Sequence, residues 1–212
     1  MYRAVLDTCA LVPGRQRDFL LQLATEHAYA PLWGTGILFE LDYVLGRLDD
    51  KRGRPDSAAY RQRLFDQMAK AFPGATVEAP KDRIYHYDLN DPDDGHVAHA
   101  AIVGKADAIV TDDSRAGFPT TPDIVEAQIQ IVTPAQFAAN TVTAHPASGL
   151  RALREMSARM STPALTPAQL LDELGGRYAM IEVADILGPL LAVPADNLTL
   201  PSTSTGEPPP ER

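Results

Sequence analysis

Short apolar runs alternating with longer amphipathic segments constrain this chain more than any other feature. Ala4-Val5-Leu6 ends at an acid and is followed by Arg15 to His27, where Phe19, Leu20, Leu23 and Ala24 recur at helical spacing. The first reads as a buried strand and the second as an amphipathic helix. Ala30 to Trp33 is a second strand before a helix from Thr35 to Leu48, with Thr35 as candidate cap and a stripe of Ile37, Leu38, Leu41, Val44, Leu45 and Leu48. A helix over Ser57 to Ala71 stops at Pro73-Gly74, and Ala75 to Val77 supplies a third strand. Asn90-Asp91-Pro92-Asp93-Asp94 opens a helix running to Gly104, Asp107 to Thr111 is a fourth strand and Gln128 to Val132 a fifth. Thr133-Pro134 then caps a helix over Ala135 to Ala139. Such alternation requires a parallel sheet covered on both faces, so residues 1–140 are expected to form an α/β domain with about five strands.

After Pro146 the strands cease. Helices are expected over Ala147 to Ser161, Pro167 to Leu174 and Arg177 to Leu191, with Thr166-Pro167 as a start and Gly175-Gly176 as a stop. This helical region, residues 147–192, is too small to bury enough surface alone and is expected to pack on the first domain or on a partner. Residues 193–212 are rich in Pro, Ser and Thr and are expected to be a disordered tail. The single cysteine, Cys9, excludes a disulfide scaffold and fits a reducing compartment. No apolar run is long enough to span a membrane and no secretory h-region is present, so a cytoplasmic location is expected. A formal charge of −9 argues against a broad electrostatic grip on nucleic acid, but not against an enzyme whose acids hold a metal ion.

Ligands of open parallel sheets collect beyond the carboxyl ends of the strands, so acids there come first. Asp7 ends the first strand and Asp113 stands two residues past Thr111 at the end of the fourth. Glu40 lies between Phe39 and Leu41 on a helix, where an acid among apolar neighbours needs a partner. Asp94 falls in the first turn of its helix. Carboxylates converging without balancing lysines raise one another's pKa unless a divalent cation neutralises them. An all-oxygen set favours Mg²⁺ or Mn²⁺ and suits phosphodiester hydrolysis. Each acid also has a plainer role: Asp7 and Asp91 as helix caps, Asp94 as a dipole partner, Asp112 or Asp113 as loop acids, Glu40 as a surface acid.

The motifs Val5-Leu6-Asp7-Thr8-Cys9-Ala10-Leu11, Ile37-Leu38-Phe39-Glu40-Leu41, Asp91-Pro92-Asp93-Asp94-Gly95-His96-Val97-Ala98 and Ala108-Ile109-Val110-Thr111-Asp112-Asp113 resemble the PIN-domain family, in particular the VapC-type toxins of bacterial toxin–antitoxin pairs. The resemblance covers residues 1–140 and implies a three-layer α/β/α fold whose acids bind Mg²⁺ or Mn²⁺ and hydrolyse RNA. It assigns the metal-binding and catalytic quartet to Asp7, Glu40, Asp94 and Asp113, with Thr111 supporting the site through its hydroxyl. It implies RNA as substrate, a cognate antitoxin and a homodimer. The helices after Pro146 are similar to the extra C-terminal domain of one subgroup. The doubled Asp112-Asp113 and the loop Ser114-Arg115-Ala116-Gly117-Phe118, without the usual acid before Phe, depart from the pattern.

RNA would have to be gripped by local cations. Candidates are Arg47, Lys51, Arg52, Arg54, Arg61 and Arg63, with Arg115 near the acids; the same residues, interspersed with Asp49, Asp50 and Asp56, equally describe a solvated face. His96 and His99 lack the companion ligands of a zinc site and read as surface or core histidines. An aspartyl phosphatase centred on Asp7 lacks its second acid two positions on. The remaining alternative is a non-catalytic PIN-like module that binds RNA or protein.

Overall fold

The computed structural model describes residues 1–54 and 57–192. The expected tail, and Asp56 of the charged stretch, lie outside those residues. Five strands, β1 (Arg3–Leu6), β2 (Ala30–Gly34), β3 (Thr76–Val77), β4 (Ala108–Val110) and β5 (Gln130–Val132), form one sheet in the order β3-β2-β1-β4-β5 with every pairing parallel. They alternate with helices α1 (Thr8–Leu11), α2 (Gly14–Thr25), α3 (Thr35–Lys51), α4 (Ala58–Ala71), α5 (Gly95–Gly104) and α6 (Pro122–Glu126). Right-handed crossovers put α2 to α4 on one face, because the chain moves outward from β1 to β3, and α5 and α6 on the other, because it returns across β4 to β5. The fold is a three-layer α/β/α sandwich. Strand order reverses between β1 and β4, whose chains part there, and the crevice so formed is where sheets of this kind take ligands.

The central strands are apolar throughout because both faces are covered: Ala4, Val5, Leu6, Ala108, Ile109 and Val110 are all fully buried. Trp33 is buried too and meets Phe72 edge to face at 6.0 Å, closing β2 against the end of α4.

Four local expectations need correction. The helix expected over Arg15 to His27 is α2, but an unexpected short helix, α1, precedes it, with Asp7 capping α1 through Thr8 N–H. Gly34, and not Thr35, occupies the cap of α3; Thr35 Oγ1 instead accepts from Ala79 N–H at 3.0 Å, tying α3 to the chain leaving β3. α6 carried too few residues for its periodicity to show. Gly175-Gly176 does not stop its helix: α9 continues to Tyr178 and ends where Ala179 turns left-handed at φ 56°. A methyl at Gly175 would meet Ala184 Cβ on the next helix at 3.5 Å, an ordinary contact.

The helices after the sheet are α7 (Pro134–Ala144), α8 (Pro146–Arg159), α9 (Pro167–Tyr178) and α10 (Ile181–Leu191). Leu153, Leu170, Leu174 and Leu187 are fully buried and join the same apolar core as the sheet. α8 lies along α2, fixed by Arg151 on Glu26 at 2.7 Å, Ser148 on the Glu26 carbonyl at 3.1 Å and Arg159 on Gln22 at 2.6 Å. The helical region therefore packs on the sheet domain. No described helix is long and apolar enough to cross a membrane.

Candidate active site

Asp7 follows directly on β1, and its N–H donates to Val110 O of β4 at 3.1 Å, which places it at the reversal of strand order. Its carboxylate is 8% exposed. One oxygen accepts from Thr8 N–H at 2.6 Å, the other from the Thr111 hydroxyl at 2.7 Å and from Cys9 Sγ at 3.3 Å. Asp7 thus caps a helix turn and presents an acid at the rim at once. Burial, with Glu40 adding to it, pushes its pKa above the usual carboxylate value despite those three donors. Thr111 closes the arrangement: having donated to Asp7, its oxygen accepts from Asp113 N–H at 3.0 Å.

Asp94 ends a 3₁₀ turn, Pro92–Asp94, that leads into α5. The capping work belongs to Asp91, which accepts from Asp93 N–H at 3.0 Å. Among the described residues the Asp94 carboxylate accepts no hydrogen bond. Burial and the charges of Asp7, Asp91 and Asp113 push it up to about 6, with Lys81 acting in the opposite direction. The doubled acid divides in its effects. Asp113 raises Asp94, whereas Asp112, more exposed, has its own pKa raised by burial and by Asp7. Asp113 itself is held below the ordinary value by the Arg115 N–H at 2.7 Å and then by the Arg115 guanidinium at 3.4 Å.

Glu40 does not stand with the unbalanced acids. Lys81 Nζ lies 2.5 Å from it, the Thr8 hydroxyl donates to it at 3.0 Å, and His96 Nε2 is 3.3 Å away without alignment for a hydrogen bond. Burial alone would raise its pKa; the His96 imidazole and the Lys81 ammonium outweigh that and hold it at about 2. The expectation of a rim with no balancing lysine is therefore wrong. Lys81 leaves β3 through Pro80 and also donates to Asp93 O at 2.7 Å, so it joins the glutamate helix to the Asp94 turn. Nothing in the spacing of the sequence marks it. His96 did have a signal, its place in the Asp94 motif. It is buried, with Nδ1 donating to Asp93 O at 2.9 Å, while His99 turns away to the Tyr87 hydroxyl. Neither forms a zinc site: among the described residues no group of three or more His, Cys, Asp or Glu side chains is arranged so that it could hold a metal ion.

A Glu40 pKa held below its unfolded value contributes stability that is present above about pH 4.5 and lost as pH falls through about 2. Replacing Lys81 by methionine should therefore narrow the difference in urea-unfolding free energy between pH 7 and pH 3 by about 0.5 kcal/mol, a value discounted for solvent screening of a half-exposed group. An unchanged difference would show that His96 and Thr8 suffice.

The family model described as PIN domain matches residues 3–115, just over half of the chain and the whole stretch from Asp7 to Asp113. The chain belongs to the PIN-domain family. No curated protein and no solved structure matches it. PIN domains are nuclease-type domains that bind nucleic acid and generally use divalent metals such as Mg²⁺, and in this PIN domain Asp94 is near enough to Asp7 and Asp113 for their charges to raise it.

Proposed function

We propose that this PIN domain is a Mg²⁺- or Mn²⁺-dependent endoribonuclease, the cytoplasmic toxin of a VapBC-type toxin–antitoxin pair. The observation that carries the reading is the Asp94 carboxylate, which no donor among the described residues satisfies and which burial, with the charges of Asp7, Asp91 and Asp113, pushes up to about 6. A partly buried acid placed among acids costs stability, and a cation supplied from outside would reverse that cost. The donor set fits Mg²⁺. That ion dehydrates reluctantly and takes one or two carboxylates, completing its shell with water and substrate phosphate, so it does not need a cage of three protein ligands. Asp7 and Asp94 would hold it, with Asp113 beside them; when bound it would polarise the phosphoryl oxygen and acidify a water.

The chain's own residues do the positioning. Thr111 and Thr8 fix both oxygens of Asp7, Arg115 keeps Asp113 ionised, and Lys81 keeps Glu40 anionic while placing one cation near the rim. The uncompensated charge also suits an antitoxin that inserts an arginine. Phe39 and Tyr43, one helical turn apart on α3 and 68% and 58% exposed, offer apolar surface for that antitoxin or for a second subunit.

Purified protein incubated with total cellular RNA should cut it with Mg²⁺ or Mn²⁺ and not with EDTA. RNA left intact in every metal, with metal binding confirmed and no antitoxin co-purified, would favour the non-catalytic module.

A further inference from the structure

We infer that the cleft between α2, α4 and the end of α8 is a second RNA site, a channel for the sugar-phosphate backbone of a single strand; this rests on the nuclease reading above. The cleft encloses about 740 Å³ and is lined by Arg15, Arg17, Arg63 and Arg159 against a single acid, Asp18. In a chain of net charge −9 that concentration of guanidinium groups stands apart.

Three of the seven cations named from the sequence are ion-paired elsewhere. Arg54 pairs with Asp49 at 2.9 Å, Arg61 with Asp42 at 2.8 Å and Arg115 with Asp113 at 3.4 Å. Arg63 differs: it turns to the cleft and, among the described residues, makes no ion pair. Arg159 donates to the neutral amide of Gln22, which leaves its charge unbalanced. Arg17 is 6% exposed; its Nη1 donates to Leu11 O at 3.1 Å, while Nε, 3.4 Å from Asp18, makes no hydrogen bond. Arg15 is the one with a loose acid partner outside the lining, Glu173 at 3.6 Å. An anion is the missing component, because a desolvated guanidinium without full hydrogen bonding is costly and phosphate matches its geometry.

A strand fits better than a lone phosphate. Tyr60, Arg63, Gln67 and Ala71 lie along one face of α4, about 16 Å from first to last at helical rise, so the lining is a trough with contacts repeated along it. Tyr60 is 68% exposed at one end, and an aromatic face beside a cationic groove is the arrangement on which single-stranded bases stack.

The test is fluorescence anisotropy with a labelled ten-nucleotide single-stranded RNA and the full chain in EDTA, where metal-dependent cutting is off. Arg63→Glu should weaken binding about tenfold and flatten its salt dependence, and Tyr60→Ala should weaken it about fivefold or more. Lys70→Glu, the same charge change on α4 outside the cleft, should shift binding less than about twofold. If Arg63→Glu matches Lys70→Glu, or wild type does not bind, the channel is overturned; if adenosine monophosphate competes as well as unlabelled RNA, the strand is overturned in favour of a free nucleotide. Parallel cleavage assays in Mg²⁺ separate the two ideas. Cutting that persists while Arg63→Glu has no effect on binding removes the channel alone, whereas Arg63-dependent binding by a chain that cuts nothing keeps the channel and removes the nuclease reading.

Discussion

Asparagine at position 94 should give a protein that is inactive and yet more stable than the wild type. In the folded chain the Asp94 carboxyl is raised from its ordinary 3.8 to about 6. A folded pKa above the unfolded one means that the folded state favours the protonated form. The penalty for ionising it is absent below about pH 4, grows as pH rises, and is complete above about pH 6. Solvent reaching a half-exposed group screens the repulsion, so at pH 7 the penalty is about 1 kcal/mol. Asp94→Asn removes it, and thermal unfolding in EDTA should move upward accordingly. Cleavage should fall about 10³-fold or more, the effect of withdrawing several kcal/mol of metal-supplied stabilisation. Mg²⁺ should raise the melting temperature of wild type and leave the variant nearly unmoved. Undiminished cutting by the variant would remove Asp94 from the reaction, and a lower melting temperature in EDTA would show that the acids do not repel one another there.

Alanine at position 36 should cost about 2–3 kcal/mol although it is the better helix former. Its methyl would lie 2.6 Å from His96 Cδ2, 2.7 Å from Ala79 O and 2.9 Å from Lys81 N. Two of these are backbone atoms, which no change of rotamer can move away. The loss is therefore not only one of stability. Lys81 and His96 flank Glu40, so displacing them should let the Glu40 carboxyl rise from about 2 toward its ordinary range and should reduce cleavage about tenfold, as loss of an orienting shell does. Gly46→Ala on the same helix is the control, since its methyl would meet only the flexible end of Arg61 at 3.4 Å. Urea denaturation, with the Glu40 titration followed by NMR, distinguishes the two. Equal stability of the two variants would mean that the approach of α3 to the 79–81 segment is not close in solution.

Much of the sheet was readable because strand and helix periods are local properties. Ala4 to Leu6, Ala30 to Trp33 and Asp107 to Thr111 read as strands because they are short, apolar and set between amphipathic helical segments, and acids just past two of them were expected to project from one rim. α6 escaped because five residues hold barely more than one helical turn. The stop of α9 was misplaced because a glycine pair weakens a helix without having to end it, and the chain turns left-handed only at Ala179. The cation patch was open for a similar reason: counting arginines does not show that Arg54 and Arg61 meet acids while Arg63, among the described residues, makes no ion pair.

Taken alone, the order of apolar runs and the placement of Asp7, Asp94 and Asp113 determine a parallel α/β sheet with acids gathered at its strand ends, because side-chain period and strand polarity are written within a few residues. Only the tertiary structure decides that Glu40 is neutralised by Lys81 and flanked by His96, that Asp94 is left without a donor, and that Arg63 shares a cleft with Arg15, Arg17 and Arg159. Those pairings join residues far apart in the chain, and Coulomb and hydrogen-bond energies depend on ångström separations that packing alone sets.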